Sequence, residues 1–303
     1  MVKRKVSLIG PTTLMVSLPR KWARTYNVTQ GDDIDITPHG SRLTISTDNY
    51  QHHKPLTIDL KRLNANLIRY SIYAAYRSGA NDITLNFEQD SVANANNTSK
   101  EHILDIISSV VDNLIGIDIV TQRDTHVTLK EISSVNREEF DNTLQRIFLT
   151  LLNTASDLTN AVQTKNTTLL KRIKTLSDKK INKLTDFCLR ILNKGGYVAT
   201  ATLPSYYALI TALERMGDAL EELCDLALTK KVTTKDLTLL HTLFETLYKL
   251  YCNYTNDNIT TFYTTKNKLR DTKTTPEVTK HFQTITGACS TIIPELMTLH
   301  FAP

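Results

Sequence analysis

Along this chain a strand-like alternation of apolar and polar residues gives way to a helical period. Up to residue 47 the apolar residues recur at every second position in short runs, as along half-buried strands. Lys5–Ile9 and Leu14–Leu18 are two such runs around Gly10-Pro11, and Asp33–Thr37 and Arg42–Ser46 are two more around the turn Pro38-His39-Gly40-Ser41. Between the pairs, Pro19 opens a short helical stretch, RKWARTYN, and Gln30-Gly31-Asp32 reads as a turn. Residues 1–47 thus predict a small β-rich module. A module this short buries little core by itself and is expected to pack on a second copy or on the rest of the chain.

Residues 48–55 read as a linker, and its adjacent His52 and His53 would point apart on an extended segment. Over 56–132 strands and helices alternate: Leu56–Asp59, a helix Leu63–Ser78, and Asp82–Phe87. A polar loop, expected to be mobile, spans 88–98. A helix capped by Ser99 runs through Leu114, followed by strands Gly116–Gln122 and His126–Ile132. Leu63, Leu67, Tyr70 and Ala74 mark the expected buried face of the first of these helices, and Gly79 its end. The βαβαββ order predicts an α+β layer with helices on one face of a sheet, a spacer or pairing domain. No glycine-rich phosphate loop follows any of its strands.

From 135 to 303 the period is helical. Five helices are expected: Arg137 to about Lys165, Thr168–Asn193, one centred on 209–228, one from Thr234 to Arg270, and one beginning near Thr275-Pro276. The fourth has a break point near Asn256–Asn258, and Pro294 should kink or end the fifth. Long helices on short loops form an antiparallel bundle, so the chain as a whole is multidomain and mainly α.

Charge then singles out two regions. Before Asp32 there are six cations, Lys3, Arg4, Lys5, Arg20, Lys21 and Arg24, and no acid, as expected of a surface for an anionic partner. In the helix LITALERMGDALEELCDLAL, Leu209, Leu213, Met216, Leu220, Leu223 and Ala227 form an apolar seam. Glu214, Asp218, Glu221, Glu222 and Asp225 form an acidic stripe nearly opposite. Like charges one turn apart cost roughly 0.2–0.5 kcal/mol per pair, so a cation should relieve the stripe. Carboxylates alone suit hard or borderline cations in open coordination.

Cys188, Cys224, Cys252 and Cys289 are far apart and lie in apolar helical settings, so buried reduced thiols are expected. There is no secretory signal and no run of 18 apolar residues, which predicts a soluble cytoplasmic protein. HExxH, GxSxG and a cysteine with a histidine partner are all missing, and no enzymatic activity is expected.

The run RKVSLIG followed by TLMVSLPRKWARTYNVTQGDDIDI resembles the AbrB/SpoVT-type swapped-hairpin domain. That resemblance implies an intertwined homodimer that binds DNA through Lys3, Arg4, Lys5, Arg20, Lys21 and Arg24. The segments EFDNTLQRIFLTLLNTASDL, SDKKINKLTDFCLRILNK and ALERMGDALEELCDLA resemble three successive helices of a PhoU-type domain. Together the two halves resemble archaeal PhoU-type phosphate uptake regulators. Glu214-Arg-Met-Gly-Asp218 matches the family's E(D)xxxD motif, whose carboxylates hold iron, zinc, magnesium or manganese on the outside of the bundle. The resemblance places metal ligands at Glu214 and Asp218, extended by Glu222 and Asp225. Two departures stand: Asn182 follows Asp178 where the family often has a carboxylate pair, and no second acidic motif occurs near the C-terminus. The implied function is a phosphate-responsive transcriptional regulator. The alternative is an adaptor that does not bind DNA and docks on a phosphate transporter or signalling protein, its N-terminal domain serving to dimerise.

Overall fold

A computed structural model describes residues 3–39, 42–47, 55–94, 96, 98–133, 137–195, 198–229 and 231–302. His52 and His53 lie outside these residues. The chain divides into two compact units, Met1–His53 and Lys54–Pro303.

The first unit begins with β1 (Val6–Ile9) and β2 (Thr13–Val16), an antiparallel pair. The turn between them uses Gly10 at a φ of 71°, a conformation that favours glycine. The register sets Val6 opposite Val16 and Leu8 opposite Leu14, so these four share one face of the ribbon. A short helix, α1 (Arg20–Thr25), leads to a second antiparallel pair, β3 (Asp35–His39) and β4 (Arg42–Ser46). Pro38 and His39, expected in the turn, belong to β3, with Pro38 opposite Leu43. A two-stranded ribbon has only edge strands, where proline's missing N–H is tolerated.

The second unit opens with the expected α+β layer. Its strands β5 (Pro55–Asp59), β6 (Asp82–Asn86), β9 (Ile117–Gln122) and β10 (His126–Glu131) form one sheet in the order β5-β6-β10-β9. β5 runs parallel to β6, while β10 is antiparallel to both its neighbours. The helices of the layer are α2 (Ala65–Arg77) and α3 (Ile103–Val111). Asn64 caps α2 by accepting the Leu67 N–H at 2.9 Å, and Gly79, at a φ of 85°, ends it.

Two expectations for this layer are corrected. The buried face of α2 is Ala65, Ile68, Ile72, Ala75 and Tyr76, whereas Leu67 and Tyr70 are exposed. Both stripes are apolar at helical spacing, so only tertiary packing selects between them. The expected loop at 88–98 contains β7 (Ser91–Ala93), paired with β8 (Lys100–His102), so Ser99 caps no helix and α3 starts at Ile103. The Asn94 side chain binds Thr98 and Ser99 across that turn, closing a hairpin where composition suggested loop.

The bundle comprises α4 (Arg137–Gln163), α5 (Thr167–Lys194), α6 (Leu203–Leu228), α7 (Thr234–Cys252), α8 (Asn256–Arg270) and α9 (Pro276–Phe301). The expected fourth helix is two, because the Thr255 hydroxyl caps a new one by accepting the Asn258 N–H at 3.1 Å. Pro294 does not end α9, which continues to Phe301. The helix packs along α6 and buries Phe282, Ile285, Cys289 and Ile292, and this burial outweighs one missing N–H. Cys188, Cys224 and Cys289 are buried free thiols, whereas Cys252, the last residue of α7, is exposed. At the α5–α6 crossing, a Cβ on Gly217 would fall 2.9 Å from Ile181 Cγ2, so glycine allows that close approach.

The layer and the bundle meet at the end of α2. Arg190 of α5, which is fully buried, donates through Nη1 to the carbonyls of Tyr76 (2.8 Å) and Ala80 (2.9 Å). Its guanidinium lies 4.8 Å from the Tyr76 ring centroid. Asn193 donates to the Arg77 carbonyl at 2.7 Å, and Lys194 binds both Glu131 carboxylate oxygens at 2.5 and 2.6 Å. The C-terminal end of α5 thereby serves carbonyls at and just beyond the end of α2.

Candidate functional site

The acidic stripe lies on α6, which packs against α4, α5 and α9. Its apolar seam is buried as expected: Leu209, Leu213, Met216, Leu220, Leu223 and Ala227 all lie in the core. The carboxylates opposite are met by basic groups from three other helices. Arg77 of α2 places Nη2 3.8 Å from Glu214 Oε1, and its Nε donates to Asp186 of α5. Lys174 of α5 binds Asp225 at 2.7 Å. His281 of α9 lies 2.9 Å from Glu222 through Nδ1. Asp218 and Glu221 have interaction partners as well.

Burial pushes the Asp186 carboxyl up from its usual range, against the pull of Arg77. Burial likewise pushes His281 down, opposed by Glu222, and Lys280 adds to the lowering. The His281–Glu222 contact at neutral pH is therefore best written as a neutral imidazole N–H donating to a carboxylate. Lys174 is raised by its hydrogen bond to Asp225.

The cations that relieve the stripe thus come in part from the chain itself. Among the described residues, no three His, Cys, Asp or Glu side chains gather closely enough to hold a metal ion. Glu214, Glu222 and Asp225 each face a different basic partner: Arg77, His281 and Lys174. Sequence reasoning missed Arg77, Lys174 and His281. A signal for one existed: α5 carries eight cations (Lys171, Arg172, Lys174, Lys179, Lys180, Lys183, Arg190 and Lys194) against two acids, complementary to the acidic helix that follows it.

The same basic helix lines a cavity of 410 Å³ on its α4 side. Arg172, Lys180, Leu169 and Ile173 of α5 face Thr150, Asn153, Thr154 and Asp157 of α4 across it. Thr150 and Thr154 are buried, and each spends its hydroxyl proton on a backbone carbonyl one turn back, Arg146 and Thr150, both at 2.7 Å. Their oxygens remain able to accept.

In the N-terminal unit all six candidate DNA-binding cations are exposed. Lys3, Arg4 and Lys5 precede the first ribbon, while Arg20, Lys21 and Arg24 lie on α1, with Arg20 and Arg24 one turn apart. The ribbon's apolar residues are exposed too: Leu8 at 65% and Leu14 at 69% are far outside the range of a covered face. No family model, curated protein or solved structure matches this chain.

Proposed function

We propose that this chain is a phosphate-responsive, PhoU-like regulator that binds DNA as a homodimer through its N-terminal unit. The observation carrying the reading is the state of that unit. It holds six exposed cations, with no acid before Asp32, beside a ribbon whose apolar face, Val6, Leu8, Leu14 and Val16, is open. A two-stranded ribbon with an open apolar face is marginal alone, and a second copy of the same ribbon supplies the cover it lacks. The cations then stand on both protomers, doubling the surface that a phosphate backbone meets. The helical bundle carries the regulatory part of the reading, through its resemblance to PhoU-type helices and its segregation of acid on α6 from base on α5.

DNA affinity should weaken steeply with salt, since each neutralised phosphate contributes about −0.9 to the slope of log K against log salt. Gel-shift titrations over a salt series test this, with Arg20→Ala/Lys21→Ala/Arg24→Ala as the comparison. If all three contact phosphate, the triple variant flattens the slope by about 2.7 per protomer engaged. A folded, dimeric wild type that binds no DNA even at low salt would overturn the DNA part. It would leave the adaptor reading, in which the triple variant retains full function.

A further inference from the structure

We infer that the cavity between α4 and α5 is a binding site for a small phosphate ester rich in hydroxyl groups, of the nucleotide or sugar phosphate class. Four features of the wall select this chemistry. Its volume, 410 Å³, lies within the range of roughly 300–1,000 Å³ typical of small-molecule sites. Arg172 and Lys180 stand two turns apart on the most basic helix of the chain, with Lys171 and Lys179 adjacent to them in sequence. Lys174, by contrast, turns to Asp225 on α6, so the cations of α5 divide between two tasks. Two cations spaced along one wall favour an extended anionic ligand, the arginine offering a phosphate its fork of donors and the lysine a point charge.

The opposite wall asks for donors rather than for more negative charge. The Thr150 and Thr154 hydroxyls have given their protons to carbonyls, so their oxygens accept, as does the Asp157 carboxylate. Asn153 offers both a donor and an acceptor. A bare phosphate satisfies the α5 wall alone and faces Asp157 unfavourably. A phosphate ester with hydroxyls satisfies both walls, and Leu169 and Ile173 give its carbon skeleton an apolar floor. This deepens the phosphate reading above by naming the molecule sensed.

Isothermal titration of the full chain with AMP, inorganic phosphate and adenosine tests the proposal. AMP is expected to bind more tightly than inorganic phosphate, and adenosine to show no binding. Arg172→Glu/Lys180→Glu should weaken AMP about tenfold or more, the loss of one charge-assisted contact at the least. Lys268→Glu, an exposed change on α8, should leave it unaltered. Asp157→Asn should reduce the preference for AMP over phosphate, because a carboxylate that accepts from hydroxyls is replaced by a weaker acceptor. No heat with either AMP or phosphate, or an AMP affinity indifferent to the Arg172/Lys180 reversal, overturns the site. Phosphate binding as tightly as AMP overturns the ester and leaves an anion site. DNA binding is read separately by gel shift, so loss of one reading is distinguishable from loss of the other.

Discussion

Arg77 illustrates how one side chain can answer two carboxylates on different helices. Its Nε donates to Asp186, which is buried, while its Nη2 stands 3.8 Å from Glu214 at the rim. Burial already holds the Asp186 carboxyl above its usual pKa despite this partner. A carboxyl whose folded pKa lies above its unfolded one favours the protonated fold, so its contribution to stability falls as pH rises through that interval. Arg77→Leu removes the influence that holds the value down and widens the interval. The variant should therefore lose more stability, relative to the wild type, at pH 7 than at pH 4. Urea denaturation at the two pH values checks this, and equal losses would mean that Asp186 does not depend on Arg77. None of this was legible in the sequence, since Arg77 and Asp186 are 109 positions apart and belong to different layers.

Elements were more legible than faces. The helical period located α4, α5 and α6 closely, and Gly79, at a φ of 85°, marked the end of α2. The N-caps Asn64 and Asn166 emerged only in the structure. The face of α2 was not legible. Leu63, Leu67, Tyr70 and Ala74 compete with Ala65, Ile68, Ile72 and Tyr76, and packing within the unit, with α3 and α5 among the neighbours of α2, chose the second set. Ile72→Ala should cost about 2–5 kcal/mol, as a large-to-small change in a packed core. Tyr70→Ala, on a ring 66% exposed, should fall within about 0.5 kcal/mol of the wild type. Chemical denaturation of the two variants side by side distinguishes the faces, and a reversed order would restore the stripe that periodicity suggested. The hairpin β7–β8 was missed for another reason: its strands are three residues each and mostly polar, and Asn94 rather than a glycine or proline closes the turn.

At the scale of the molecule, the sequence pattern separates an α+β segment from a helical one, yet the two form one compact unit, Lys54–Pro303. Arg190 is the central tie. It serves two carbonyls, stacks on Tyr76 and faces Glu131 at 3.3 Å. Replacing it with leucine takes the donor from the buried Ala80 carbonyl, at roughly 1–3 kcal/mol, while the Tyr76 carbonyl keeps the Gly79 N–H. The Arg190→Leu variant should lower thermal stability and split the melting of this unit into separate sheet-layer and bundle transitions. A single transition at the wild-type temperature would show that the tie is dispensable. What the sequence determined by itself was local: where the helices and most strands form, that Gly79 ends α2, that one end is basic, and that one helix carries an acidic stripe. Propensity, capping and charge reside in neighbouring residues, so they can be read in order. The tertiary structure alone decided what the stripe faces, which side of α2 is buried, and that Arg172 and Lys180 share a cavity with Asp157. Those outcomes depend on contacts between distant segments, and helical period constrains the angle of a side chain around its own axis, not the identity of the element it meets.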